Sequence, residues 1–376
     1  MSNFIETYKR GKEGKHLSLD TGSPALNKAI NGLQQAMSIG VAAPPKVGKT
    51  TAADFFFLIS PYLQALKLGT LSDVEWVYFS YEIDRVSKEF KFAAFFMAND
   101  YQQYNVLYKE KTYGMSMDYL MGKQIHEQVD EVIEYVKVTE EHENMLKTIY
   151  ATHIIPLFGE YDSNNIMIKP GKVTFIEEPE NPTGLNKLLL ARAEQHGTFR
   201  YSSFNTTNEK GQKIIGKRIE GYTPKNPKLF TIVFTDHVRK LRRERGFSMK
   251  DTIDKWLEYS THLRNLCKYT FIHIIHSNRN LANPERLRSA GEWIFPTADD
   301  CKDSGNPAEE CTVFMTLFNP NDEKYNLERH FGHELSEYPH YRSLHITEAR
   351  NGVICPAHLF YNMFGGINMF TPLNQY

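Results

Sequence analysis

Cysteine is scarce in this chain of 376 residues: there are four, Cys267, Cys301, Cys311 and Cys355, and no two form a C-x-x-C pair. A disulfide framework is thereby excluded as the basis of the fold. A zinc module is excluded too, since His262 and His273 stand at no metal-like spacing from Cys267. This usage predicts reduced, buried thiols in a cytosol. An excess of one charge is also lacking. With 44 Lys and Arg against 45 Asp and Glu, the formal net charge is -1. No global field draws the chain to nucleic acid, so any such contact has to come from a local patch. The opening MSNFIETYKRGKEGKHL is too polar for a signal peptide. The longest apolar runs, such as DFFFLISPYLQAL, are too short and interrupted to span a membrane. Internal repeats and low-complexity segments are missing as well. What is present, at 41% hydrophobic and 24% charged residues, is an ordinary globular composition with ample length for a core.

One stretch carries chemistry on its face. Gly40 to Thr51 reads GVAAPPKVGKTT, one residue short of the G-x-x-x-x-G-K-[ST] loop that cradles phosphates. Gly48, Lys49 and Thr50 are in place, and Ala43 stands where the leading glycine belongs. Before the loop, MSIGVAA is an apolar run of strand length. After it, TTAADFFFLISPYLQALKLG spaces Phe56, Leu58, Ile59, Leu63 and Leu66 as a helix that Gly69 can cap. Strand, loop and helix in that order bring backbone N–H groups and a helix N-terminus to a phosphate. Ala43 is tolerable if its φ is negative, and Pro44 and Pro45 bias it toward an extended conformation. The expected nucleotide contacts are Ala43, Lys46, Val47, Gly48, Lys49, Thr50 and Thr51. Lys49 would reach the β/γ-phosphates of ATP, and the Thr50 hydroxyl would hold Mg²⁺.

Later strands end in the other residues such a site needs. VEWVYFSYEID ends in Glu82, a carboxylate placed to orient an attacking water. FTIVF runs into Asp236, the usual holder of Mg²⁺ through water. YTFIHIIHSN ends in His276, placed to sense a γ-phosphate. SLHITEARNGVICPAHLF reads as strands around a tight Asn351-Gly352 turn, with Arg350 just before it.

Taken in order, these segments resemble the DnaB family of replicative helicases, within the RecA-like ATPases, over nearly the whole chain. The likeness rests on LDTGSPALNKAINGLQQAMSIGVAAPPKVGKTT, VYFSYE, SNRNL, DDCKDSGNPAEECTVFM and EARNG. It implies an α/β fold, with a RecA-like P-loop ATPase core and a mostly parallel central sheet flanked by helices. It also implies that Lys49 and Thr50 bind phosphate and Mg²⁺, that Glu82 activates water and Asp236 completes the Mg²⁺ shell, and that His276 is the sensor. Arg350 matches the arginine finger that acts on a neighbouring subunit's nucleotide, so the working form would be a homo-oligomer, a hexameric ring. The sequence departs from the family at Ala43 and at Glu348, where a second cation is usual. It also lacks the N-terminal helical domain and any primase domain. That compact form suggests a phage, virus or plasmid replication protein.

Residues 1–15 resemble the short linker helix that docks on an adjacent subunit; an amphipathic tail is the other reading. Residues 16–376 would form the ATPase domain. The span between Glu82 and Asp236 is about twice what the family needs, so insertions are expected: a helical one at about 100–165 and a β-hairpin at 198–223. The hairpin carries Lys210, Lys213, Lys217 and Arg218 and reads as a structural arm. Two patches are candidates for DNA. Arg239, Lys240, Arg242, Arg243 and Arg245 follow Asp236 directly, and Lys302, Asp303 and Gly305 match a family loop that touches the DNA backbone. The reading is an ATP-driven helicase on single-stranded DNA, 5′-to-3′ by resemblance, with a primase or a helicase loader as further partners. The alternatives are a recombinase-like ATPase that binds single strands without unwinding them, and a nucleotide-switched loading protein.

Overall fold

The computed structural model describes residues 3–13, 17–101, 116–129, 132–207, 213–277, 280–301, 307–350 and 352–373. Nine strands form one central sheet: β1 Ser38–Ala43, β2 Val74–Ser80, β3 Val173–Ile176, β4 Phe230–Asp236, β5 Thr270–His276, β6 Val313–Phe318, β7 Tyr341–Ala349, β8 Ala357–Phe364 and β9 Met369–Pro372. Their spatial order is β9-β8-β7-β6-β1-β5-β4-β2-β3. Neighbours from β6 to β3 pair in parallel, and β7, β8 and β9 extend the sheet antiparallel.

The inner strands read as unbroken apolar runs because both faces of the sheet are covered. Alternate side chains serve alternate faces. Trp76 and Tyr78 of β2, with Ile232 and Phe234 of β4, pack on one side against Phe56, Phe57 and Phe92. Val77, Phe79 and Val233 point the other way, toward Trp256 and Leu189. The first side is covered by helix α1, which runs through Lys49–Asp54, a π-helical turn Phe55–Ile59 and Ser60–Leu68, and by α2, Arg85–Asp100. Gly69 ends α1 in the left-handed conformation, the cap its sequence position implies. The second side is covered by α3, Pro182–His196, and α4, Met249–Cys267, each capped by a side chain: Asn181 for α3 and Ser248 for α4.

Two expectations need correction. Residues 100–165 were expected to be helical, but the described part also holds an antiparallel ladder, Ile125–Val129 with Val132–Tyr135. Helix Glu140–Ile149 follows it. The β-branched, alternating run IHEQV…VIEY favours strands over a helix. Nor is the β7–β8 connection a tight two-residue hairpin. The ladder closes at Ile346 and Ala357, and Pro356 has no N–H to carry the pairing further. Residues 197–224 do form a long hairpin, Gly197–Thr207 with Lys213–Pro224. Helix Asn3–Lys12 leads the chain and leaves Ile5 and Tyr8 exposed. No helix of the described residues is long and apolar enough to cross a membrane.

Candidate active site

Register brings the site together. Ala43 ends β1 opposite His276, which ends β5. Asp236 ends β4 opposite Ser80, which ends β2. Four carboxyl-terminal strand ends thus share one edge of the sheet, the place where open α/β sheets bind ligands.

The loop after β1 is shaped by two positive φ angles, 65° at Lys46 and 102° at Gly48. Ala43 is not among the positive-φ residues; it completes the extended β1, which is why alanine serves there. Gly48 has a second reason to be glycine. A Cβ at that position would lie 2.3 Å from Met363 Sδ of β8. Arg342 of β7 props the loop from the side, its Nε donating to the Val47 carbonyl at 3.1 Å and its Nη1 to Asn319 Oδ1 at 2.8 Å. Helix α1 starts at Lys49, so its first N–H groups have no intrahelical acceptor and face the loop mouth.

Lys49 is buried, 6% exposed. Burial lowers its pKa, and the Asp236 and Glu82 carboxylates oppose that shift. The Thr50 hydroxyl donates to Asp236 Oδ1 at 3.2 Å. Burial raises the Asp236 pKa, and Lys88 works against the rise. Glu82 lies two residues beyond β2, on a turn that Ser80 braces by donating to the Ile83 carbonyl at 2.6 Å. Asp84 then caps α2 by accepting from the Ser87 N–H at 2.8 Å. Glu82 therefore stands half-exposed at a fixed corner of the site.

His276 is half-buried and stacks its ring on His237 at 4.1 Å between centroids. Burial and the Lys49 ammonium hold His276 neutral, its pKa lowered to about 4, and His237 more so, at about 2. His237, next after Asp236, escaped the sequence reading although its position at a strand end offered the signal. Its Nε2 lies 2.8 Å from Glu82 Oε2.

Beneath the loop lies a buried ionic network that no motif announced. Lys88 of α2 donates to both oxygens of Asp54, at 2.8 and 3.1 Å, and to the Tyr78 hydroxyl at 2.7 Å. Tyr78 in turn donates to Asp54 at 2.9 Å and reaches Asp236 Oδ2 at 3.3 Å. Lys91, whose pKa burial lowers to about 8, donates to Thr51 Oγ1 at 3.1 Å. The network ties α2 to both the first turn of α1 and the end of β4.

Not every expected site residue arrives here. Arg350 follows β7, which runs antiparallel to β6. Ala349 pairs with Val313, and Val313 pairs with Ile39 near the start of β1. Ala43 is four residues farther along β1, about 13 Å at 3.3 Å per residue. The Arg350 guanidinium instead donates to the Glu309 carbonyl. Arg239, Lys240, Arg242, Arg243 and Arg245 are exposed on the segment between β4 and α4, a 3₁₀ turn followed by a loop. Lys302, Asp303 and Gly305 lie outside the described residues.

Solved structures share this fold. The ATPase domain of G40P aligns over 99% of this chain and 97% of its own, at TM-score 0.61 and 12% identity. A DnaB-like replicative helicase, solved for its interactions with primase, aligns over 99% of this chain and 68% of its own, at TM-score 0.61 and 13% identity. No protein-family model and no curated protein sequence matches the chain. At such identities the likeness establishes the fold, the α/β architecture of the DnaB-like ATPase domain that the motifs resemble.

Proposed function

We propose that this chain hydrolyses ATP between the subunits of a ring, a hexamer by resemblance, and uses the cycle to move along single-stranded DNA and separate strands during replication. One observation carries the reading. Lys49, Thr50, Glu82, Asp236 and His276 gather at the carboxyl edge of the sheet, while Arg350 sits at the opposite edge. A finger there is too far to serve its own loop, and in a ring it would face the loop of the next copy.

The residues fit Mg²⁺–ATP. The Gly48 turn leaves the backbone bare, Lys49 offers a buried ammonium, and Thr50 and Asp236 present a hydroxyl and a carboxylate side by side. Bound Mg²⁺ would neutralise phosphate charge. Lys49 would hold the β/γ-phosphates, Glu82 would orient and deprotonate water, and neutral His276 would hydrogen-bond near the γ-phosphate. Arg350 from the neighbour would stabilise charge in the transition state, a contribution worth about 10³–10⁵ in rate where it has been removed from related chemistry. The basic segment after Asp236 would track the DNA backbone and move with hydrolysis. Helix Asn3–Lys12, with Ile5 and Tyr8 exposed, would dock on the adjacent subunit. Primase or a loader would be further partners, and the setting would be cytoplasmic.

Two measurements test this. Strand displacement is followed on forked DNA with ATP and Mg²⁺, with tails on either end; unwinding of the 5′-tailed substrate is expected, and none on any substrate refutes the helicase reading. Arg350→Ala and Lys49→Ala subunits, each inactive alone, are then mixed under exchange. Partial recovery of DNA-stimulated hydrolysis is expected, kept small by the Glu348 carboxylate two residues before the finger. Full hydrolysis by Arg350→Ala alone would refute the shared site.

A further inference from the structure

The hairpin of residues 197–224 takes no part in the nucleotide site. It runs from the end of α3 into β4, and β4 reaches the site only at Asp236, so the hairpin is rooted at the far edge of the sheet. Phe199, Ile219 and Tyr222 pack that root into the cluster around Leu189 and Trp256. The Tyr222 hydroxyl donates to the Ala193 carbonyl at 3.0 Å. Farther out the side chains are open to solvent: Tyr201, Phe204 and Ile215 are 49%, 47% and 73% exposed.

Charge gathers on the same segment. Its described residues include Arg200, Lys213, Lys217 and Arg218, all exposed, against the single carboxylate of Glu220, in a chain whose net charge is -1. Among the described residues none of these four cations makes an ion pair. Register sorts them by face. Arg218 stands opposite Ser202, Gly216 opposite Phe204 and Gly221 opposite Arg200, so Arg200, Arg218 and Phe204 share one face. Both glycines are required there. A Cβ on Gly216 would lie 2.7 Å from the Phe204 ring, and one on Gly221 would lie 2.9 Å from the Arg200 guanidinium. The ring and the guanidinium therefore lie across bare backbone. Their residues are four apart, about 13 Å along the strand.

We propose that this face binds single-stranded DNA, with Arg200 and Arg218 on backbone phosphates and Phe204 stacked on a base. Unpaired cations on a projecting ribbon suit a polyanion, whereas a second copy of this near-neutral chain offers no matching field. A half-exposed ring suits unpaired bases, because the bases of a duplex already stack on one another. Contacts to phosphates and to a base face read no sequence. The contact is separate from the basic segment after Asp236, which leaves β4 at the carboxyl edge. That the polymer is DNA rests on the helicase reading; that it is a single-stranded polyanion rests on the face itself.

Phe204→Trp puts a fluorescent reporter on the face, read against the parent protein, whose Trp76 and Trp256 are buried and whose Trp293 is exposed. Titration with oligo-dT should quench the added fluorescence, and oligo-rU should bind no more tightly. Anisotropy of labelled oligo-dT then separates the roles. Arg200→Ala with Arg218→Ala should flatten the log–log salt slope by about 1.4, at about 0.7 per lost phosphate contact. Phe204→Ala should weaken binding by about 5–150-fold, the range for one lost stacking contact, with the slope unchanged. All three side chains are exposed, so these changes leave the core alone. Arg242→Ala, Arg243→Ala and Arg245→Ala together should leave the quench at saturation intact. No quench, tighter binding of oligo-rU, or hairpin variants with parental slope and affinity would each overturn the contact. Sedimentation of the same variants supplies a further refutation: a smaller assembly with unchanged DNA affinity would make the hairpin an arm between subunits. Unwinding without the quench removes only this contact, and the quench without hydrolysis refutes only the ATPase.

Discussion

Replacing Lys88 with Met tests the ionic network that ties α2 to the start of α1 and the end of β4. Lys88 and Asp54 are both fully buried and meet at 2.8 Å. Met fills nearly the same volume, so the change removes charge without opening a cavity. Asp54 then keeps the Tyr78 hydroxyl at 2.9 Å and Lys91 at 3.5 Å. Breaking a buried pair by removing one partner costs about 3–5 kcal/mol, because the other charge is left uncompensated. Lys91 compensates in part, which places the expected loss near 3 kcal/mol. Asp54→Asn should cost about as much by stranding Lys88. The double variant removes both charges and should lose far less than the two single losses combined, a coupling of about 3 kcal/mol. Urea unfolding with unchanged m reads this out. At an m of about 3 kcal/mol/M the midpoint falls by about 1 M. A shift below about 0.3 M for Lys88→Met, or additive losses in the double variant, would refute the network as a support.

Other expectations concern chemistry, DNA and pH. Glu82→Gln should bind nucleotide and lose hydrolysis, since an amide keeps the shape but accepts no proton, whereas Asp236→Asn should also weaken Mg²⁺-dependent binding; equal, mild effects in turnover and nucleotide titrations would sink the separate roles. Arg242→Ala, Arg243→Ala and Arg245→Ala together should weaken single-strand binding for all sequences and flatten the log–log salt dependence by about 0.7 per lost contact, leaving DNA-free hydrolysis intact. An unchanged slope returns these arginines to plain surface. Burial holds the pKa of His273 at about 3 and of His330 at about 4. From pH 6.5 down to about 4 the unfolded chain binds protons that the folded chain refuses, so stability falls with pH by about 1.4 kcal/mol per unit for each histidine. Urea midpoints at pH 7 and 5.5 check this; a flat profile, or one that His330→Gln leaves as steep, contradicts it.

Some of this was written locally in the sequence. GKT between an apolar run and a helical pattern needs only neighbours along the chain, and Asp236 and His276 follow strands whose apolar runs are plain. Ala43 could be judged from Pro44 and Pro45, because backbone sterics act between adjacent residues. The ladder at 125–135 misled because its charged residues resemble a solvated helix face, although its alternation was there to be seen. Other features had no local trace. Lys88 and Lys91 read as the polar face of an amphipathic helix, yet Lys88 is fully buried and Lys91 largely so, because Asp54 and Tyr78 arrive from other elements. Arg342, 295 residues from Val47, meets its carbonyl only because β7 and β8 fold back beside the loop.

The sequence by itself therefore determined the strand–glycine loop–helix at Gly48, the carboxylates near strand ends and the class of fold, since each depends on a short pattern of size, polarity and turn chemistry. The tertiary structure alone decided which strand ends share an edge, that Arg350 lies at the other one, and that His237 meets both Glu82 and His276. Those outcomes follow from strand order and register, which are set by burying both faces of the whole sheet at once and not by any segment within it.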